Sequence, residues 1–343
     1  MSAVASPVLG DAVPNAIDPL ALSRNENPFP PLPAVRSALI RSIDAANRYP
    51  EFFPERLRSL ISGHIGVPED RVVLGAGATG VVMQVLHAMT DPGDTIVLAA
   101  PTFDGYPIFA QIARLASVTV RLDEHGHHDL DALADAAAKA RVVVLCRPHN
   151  PTGTLEPVAD VLRFISSVPP DTIVLLDEAY IEFVAPEHRI DVAALIARFP
   201  NVVVVRTFSK AYGLAGLRIG YGVGSAELIG ALWNNQLPFG IAITSLISVA
   251  ASYEAEDQLL QRIRLITAER RYLRIRLSAM GVYSTDSQAN FVYLPPSGRP
   301  WPEVFADTGL QVRYYGDDGA RITVGDRAST VAVLAAVRRS APG

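Results

Sequence analysis

From Val72 onward, short runs of Val, Ile and Leu alternate with stretches of helical periodicity, and few folds accommodate that alternation. The candidate strands are Val72 to Leu74, Thr95 to Ala99, Ser117 to Leu122, Arg141 to Cys146, Thr172 to Leu176, Val202 to Thr207 and Arg218 to Gly222. Strands this continuously apolar require cover on both faces, which predicts an α/β chain with a mostly parallel seven-stranded sheet under helices. Sheets of that kind carry their ligands beyond the carboxyl ends of the strands, so chemistry is expected there.

Ahead of this unit, roughly the first 20 residues, rich in Ala and Pro, read as a loosely held arm. RNENPFPPLP (Arg24 to Pro33) reads as extended chain, because each proline restricts its predecessor. Helices are expected from Pro33 or Ala34 to about Ala46, over Glu55 to Ile65 and over Val81 to Met89. Beyond Gly224 the helical stretches are Glu227 to Gln236, Ile241 to Ala255 and Asp257 to Met280. ANFVYLP (Ala289 to Pro295), GLQVRYYG (Gly309 to Gly316) and ARITVGD (Ala320 to Asp326), with a closing helix, then alternate as a small α+β domain. The expected division is an N-terminal arm with part of the small domain over residues 1–44, a large domain over 45–240 and a small C-terminal domain over 241–343.

Composition narrows the function classes. With 30 Lys and Arg scattered against 35 Asp and Glu, the net charge of −5 gives no basic footprint for a nucleic-acid backbone. The single cysteine, Cys146, lies in an apolar run and reads as a core residue, so no intrachain disulfide forms. Met1 to Pro19 lack the basic start and apolar core of a signal peptide, and no apolar run reaches the roughly 18 residues of a membrane span, so a cytoplasmic location is expected.

Four motifs fall at strand ends. GAGATG (Gly75 to Gly80) matches the dinucleotide-binding pattern, but the next strand ends in Ala-Ala-Pro where the ribose would need an acid. What remains is a loop whose free amides, with the Thr79 hydroxyl, suit one phosphate at a helix N-terminus. In HNPTG (His149 to Gly153) a stiff turn places the Asn150 amide as a donor. In LLDEAY (Leu175 to Tyr180) a carboxylate, Asp177, ends an apolar strand, where it needs a cation or donors. A metal on Asp177 and Glu178 is the competing reading, though no third oxygen ligand stands at a matching strand end. In TFSKAYGLAGLRIGY (Thr207 to Tyr221) a lysine, Lys210, sits between hydroxyls and is followed by Arg218. A desolvated lysine is an amine nucleophile for a carbonyl.

These groups suit one ligand carrying a phosphate, a basic ring nitrogen, a phenolic oxygen and an aldehyde, the parts of pyridoxal 5'-phosphate. Lys210 would take the aldehyde and later move a proton; Asp177 would keep the ring nitrogen protonated; Asn150 and Tyr180 would donate to the ring oxygen. Ala78, Thr79, Thr207, Ser209 and Arg218 would hold the phosphate.

The ordered set GAGATG, PTFDGY, HNPTG, DEAY, TFSKAYGLAGLRIGY and ARITVG resembles the class I and II aminotransferases of the aspartate aminotransferase fold (pyridoxal-phosphate fold type I). Within them it is most similar to the histidinol-phosphate aminotransferase branch and its actinobacterial aromatic, or phenylalanine, aminotransferase relatives. The resemblance runs from Asn25 to the C-terminal helix. It implies that Phe103 stacks on the pyridine ring, where the family often has Tyr or Trp, and that Tyr49 reaches the phosphate of a partner subunit's site in a homodimer. It also implies Arg321, with Arg313 and Asn25, as binders of the substrate carboxylate.

The expected activity is transfer of an amino group from phenylalanine or tyrosine to 2-oxoglutarate in two stages, with small-molecule partners and no nucleic acid or membrane. Histidinol phosphate is the alternative substrate; a decarboxylase or lyase on the same fold, a Rossmann dehydrogenase and a noncatalytic binding module are more remote. The HGHH run holding His125, His127 and His128 reads as a polar connection and no metal site is expected. Arg262 to Arg276 read as a solvated helix face, Tyr314 and Tyr315 as packing residues, and His149 has no assigned role.

Overall fold

The computed structural model describes residues 15–296, 298, 300–316 and 319–339. Part of the expected N-terminal arm therefore lies outside the described residues.

Seven strands form the large sheet: β1 (Val72–Ala76), β2 (Thr95–Ala100), β3 (Ala116–Arg121), β4 (Val142–Cys146), β5 (Ile173–Asp177), β6 (Val202–Thr207) and β7 (Ile219–Gly224). Their order is β1-β7-β6-β5-β4-β2-β3. β7 runs antiparallel to both its neighbours, β1 and β6, while the other pairs are parallel. That reversal has a consequence for chemistry. The residue that enters β7, Arg218, lies beside the carboxyl ends of β1 and β6, because Ile219 pairs with Ala76 and Gly220 with Thr207.

Alternation along each strand divides the core in two. Val97, Val143, Leu145, Val174, Leu176, Val202 and Val204 join one apolar cluster, while Ile96, Leu98, Val142, Val144, Ile173, Leu175, Val203 and Val205 join the other. The second is capped by the helices Gly77–Met89, Gly105–Ile112 and Ala226–Trp233. The first is covered by others, among them Leu130–Ala137 and Val158–Ser167. Burial on both faces fails only at β3, whose first four residues are exposed, as an edge strand with a single neighbour permits.

Three antiparallel strands, β8 (Phe291–Leu294), β9 (Arg313–Tyr314) and β10 (Ala320–Thr323), make a small sheet in the order β8-β10-β9. The N-terminal segment is stitched to it: Ala21 bridges Gln311, and Thr323 N donates to Leu22 O at 2.8 Å. Only two residues of GLQVRYYG pair as strand.

Helix Glu55–Ile65 has the predicted bounds and ends on Gly66 in the left-handed conformation (φ 73°), where glycine has no Cβ penalty. Helix Gly77–Met89 begins earlier than the apolar pattern indicated, absorbing the GAGATG loop into its first turn. The arginine-rich helix Glu256–Ser278 also departs from expectation, since Arg270 is buried and its Nη1 donates to Ala289 O at 2.5 Å. Burial lowers this guanidinium from 12.5 to about 10, with Arg274 and Arg271 adding to the effect. Arg270→Met should cost about 1–3 kcal/mol by leaving the Ala289 carbonyl unsatisfied. Urea unfolding checks it, and a loss under about 0.5 kcal/mol would show that the contact carries no stability.

Candidate active site

The carboxyl ends of β1, β4, β5 and β6 open into a cavity of about 640 Å³, closed on the far side by the small sheet and the 23–26 segment. Every residue assigned from sequence to cofactor or substrate except Tyr49 lines it.

On its floor, Asp177 ends β5 in the middle of the sheet and is buried. Its Oδ2 accepts from the Tyr106 hydroxyl at 2.6 Å and its Oδ1 from Ala179 N at 3.0 Å. Burial pushes the Asp177 carboxyl above its ordinary value, while these two donors oppose the rise. Tyr106 was missed from sequence. It lies three residues beyond Phe103 in PTFDGY, and the two rings meet edge to face with centres 5.7 Å apart.

Lys210 follows β6 and rises into the cavity, its ammonium donating to Arg24 O at 3.1 Å and standing 5.8 Å from the centre of the Tyr180 ring. The side chain grazes the surface but lies deep in the molecule. Burial first, then the nearby Arg321, lower its pKa from 10.5 to about 8, against the opposing fields of Glu26 and Asp177.

A chain of amides joins the two sheets above Asp177. Asn25 and Asn150 both donate to the Tyr180 hydroxyl, at 2.9 and 3.3 Å. Arg321 Nη1 donates to Asn150 Oδ1 at 2.5 Å and its Nη2 to Ser23 O at 2.6 Å. Asn25 takes the left-handed conformation (φ 54°), which asparagine tolerates, and Thr323 Oγ1 both accepts from its backbone and donates to its Oδ1. Arg321 is 5% exposed, and among the described residues it has no carboxylate at ion-pair distance. Burial pushes the Tyr180 hydroxyl up, with Arg321 and Asn25 pulling it back.

At the other end of the cavity, Arg218 Nη2 lies 3.4 Å from Thr79 Oγ1 and from Ala76 O, at the start of helix Gly77–Met89. Gly77 has φ 77°, and a Cβ there would overlap the Arg218 guanidinium. Thr207 and Ser209 hydroxyls are 2.9 Å apart beside it. Backbone amides, three hydroxyls and one guanidinium thus converge at a helix N-terminus, a donor set for a phosphate. The groups fit pyridoxal phosphate: these donors stand at one end, and at the other a buried carboxylate whose charged form a ring N–H⁺ would stabilise, with an amine nearby.

Elsewhere the assignments change. Tyr49 lies outside the cavity, 82% exposed, with its ring 5.0 Å from that of Phe239. The HGHH run is not uniformly solvated: His128 is buried and its Nδ1 meets Glu156 Oε1 at 2.9 Å. His149 is fully buried, its Nδ1 2.9 Å from Thr152 Oγ1 and its ring against that of His128, so it props the turn carrying Asn150. No metal-binding cluster occurs among the described residues.

Fold and cavity together define a pyridoxal 5'-phosphate enzyme of fold type I. Residues 17–308 match the aminotransferase class I and II family, to which the chain belongs, and the protein is a transaminase. It is 41% identical over 308 residues to the aromatic amino acid aminotransferase of Streptomyces avermitilis, covering 89% of this chain and 86% of that one. It is 40% identical over 331 residues to that of Rhodococcus opacus, covering 96% and 91%. Its structure is similar to histidinol-phosphate aminotransferase from Sinorhizobium meliloti in complex with pyridoxal-5'-phosphate, with a TM-score of 0.87, 24% identity and 99% of both chains covered.

The Lys210 environment has a measurable sign. With a folded pKa near 8 against 10.5, its contribution to the stability of the cofactor-free protein rises with pH between those values and is constant below them. Competitive labelling of Lys210 should therefore show a midpoint near pH 8, and a midpoint near 10.5 would refute the desolvation argument.

Proposed function

We propose that the enzyme moves the amino group of an aromatic amino acid, phenylalanine or tyrosine, to 2-oxoglutarate in two stages. One observation carries the site assignment: the Lys210 amine, the buried Asp177 carboxylate and the Arg321 guanidinium, which meets no carboxylate among the described residues, share one cavity. The aromatic substrate is supported by the names of relatives near 40% identity that cover most of the chain.

In this reading Arg321 holds the substrate carboxylate in a two-pronged grip, with the spare amide hydrogen of Asn25 and the outer Arg313 beside it. Lys210 would take the aldehyde, and its amine, half neutral near pH 8, would serve as the base that moves the proton from the substrate α-carbon. Asp177, steadied by Tyr106, would keep the ring nitrogen protonated; Asn150 and Tyr180 would donate to the ring oxygen; Phe103 would cover the ring face. Ala78, Thr79, Thr207, Ser209 and Arg218 bind the phosphate. When bound, the cofactor supplies an aldehyde carbon for the amino group and a ring that accepts the electrons of the broken C–H bond.

The same reading divides the chain into an arm with part of the small domain (1–44), a large cofactor-binding domain (45–240) and a small domain (241–343). The pairing of residues 21 and 22 with the small sheet's neighbourhood supports grouping the arm with the small domain. It also assembles a homodimer in the cytoplasm, with Tyr49 reaching the partner's phosphate. The exposed patch of Tyr49, Phe52, Leu237 and Phe239 supports the dimer.

Lys210→Ala should lower turnover about 10³-fold and remove the borohydride-fixable cofactor link. A purified variant that turns over normally would sink the assignment. Phenylalanine should outpace histidinol phosphate with one acceptor, and the reverse order in steady-state kinetics would reassign the substrate. Tyr49→Phe should weaken cofactor retention about tenfold, as expected for losing a hydrogen bond to a charged group, without dissociating the dimer. Equilibrium dialysis and sedimentation check this, and unchanged retention would remove Tyr49 from the site.

A further inference from the structure

Arg321 and Arg313 are direct cross-strand partners on β10 and β9, so their side chains leave the same face of the small sheet, and both line the cavity. Two like charges set opposite each other repel. The ring of Tyr315 lies between them, its centre 5.8 Å from the Arg321 guanidinium and 6.0 Å from that of Arg313. They differ in depth and in partner. Arg321 is buried and bonded to neutral oxygens, whereas Arg313, 47% exposed at the mouth, is paired through Nη2 with Asp104 Oδ2 at 2.9 Å.

Asp104 reaches Arg313 from the opposite wall. It immediately follows Phe103 on the loop between β2 and helix Gly105–Ile112, so the pair crosses the mouth from the large sheet's loop to the small sheet. The Asp104 side chain makes no capping bond to that helix, which leaves its carboxylate committed to Arg313. A substrate carrying only an α-carboxylate needs Arg321 alone. One carrying a second carboxylate at the end of its side chain needs a second cation at the mouth, and Arg313 is the arginine placed for it.

We propose that Asp104 is a specificity-determining residue: by holding Arg313 it lowers the affinity for dicarboxylic substrates relative to aromatic ones without excluding them. This rests on reading Arg321 as the α-carboxylate site. The discrimination is bounded by the weakness of the pair, since a half-exposed ion pair is exchanged for another at little cost. A second carboxylate approaching Arg313 also meets the negative charge of Asp104, and like-charge juxtaposition disfavours it. One enzyme can thus favour an uncharged aromatic side chain and still admit a five-carbon dicarboxylic acceptor by letting the acceptor's distal carboxylate displace Asp104.

The test uses the holoenzyme and two unreactive probes, glutarate and 3-phenylpropionate, titrated calorimetrically into wild type, Asp104→Asn, Arg313→Gln and the double variant. Asp104 makes no capping bond to its helix, so the change to asparagine does not challenge the fold. In Asp104→Asn the ratio of glutarate to 3-phenylpropionate affinity should rise about twofold to fivefold, and in the Arg313→Gln background the same change should have a clearly smaller effect, that of the removed repulsion alone. Single-turnover rates with L-glutamate and L-phenylalanine should shift in the same ratio. A ratio that stays put in Asp104→Asn, or rises equally without Arg313, overturns the role of Asp104 while leaving the carboxylate site intact. Failure of both probes to bind wild type overturns the Arg321 reading and this inference with it.

Discussion

A carboxylate at the end of the central strand is the constraint on which the site depends. Asp177 lies at the carboxyl end of β5, with β4 and β6 on either side, so it cannot turn away to solvent. Burying a carboxylate without a contacting cation is costly, and the donors that meet it, chiefly one phenol and one amide, offset only part of that cost. Helix Gly105–Ile112 is fixed against the sheet in a way that brings the Tyr106 hydroxyl to Oδ2, which also places Phe103 over the cavity and Asp104 at its mouth. The residual cost is what a protonated ring nitrogen would relieve, so a destabilising feature of the empty fold becomes part of the cofactor's binding energy.

The second constraint is that the site is split between two sheets. Lys210, Asp177, Asn150 and Arg218 stand on the large one, and Arg321 and Arg313 on the small one. Rigid relative placement comes from hydrogen bonds through the chain's own N-terminal segment: Ser23 O takes Arg321, Arg24 O takes Lys210, and Asn25 reaches both Tyr180 and Thr323. Asn290 Nδ2 donates to Asn25 O, fixing that segment from the small side as well. Arg321 and Lys210 are therefore held in register by three consecutive residues, Ser23, Arg24 and Asn25.

Much of this was legible because it is local. All seven large-sheet strands announce themselves as apolar runs, and the groups at their ends lie within a few residues of those runs in sequence. What the sequence hid is long-range. The Tyr106 bond to Asp177 spans 71 positions and the Arg24 bond to Lys210 spans 186, and no periodicity reports such contacts. The solvated-face reading of the arginine helix failed at Arg270 because polar periodicity cannot tell a guanidinium facing water from one meeting a buried carbonyl, here Ala289. His149 stayed unexplained for the same reason: its ring packs on His128, which approaches from a separate loop.

The two arginines that do not face the small sheet's pair show how topology and local strain cooperate. Arg206, on β6, is absorbed in an ion pair with Glu178 at 2.7 Å and is closed to ligands. Arg218 is free for an anion only because β7 reverses direction, so the residue before it arrives at the ligand end of the sheet. To aim its guanidinium at the first turn of helix Gly77–Met89, Arg218 adopts φ 52°, a left-handed conformation that costs a non-glycine residue on the order of 1 kcal/mol. The space it enters exists because Gly77 has no side chain and itself has positive φ. A glycine at 77 and an arginine at 218 are thus one device, in which the missing Cβ of the first makes room for the charge of the second. Backbone strain is accepted where a guanidinium meets a helix N-terminus.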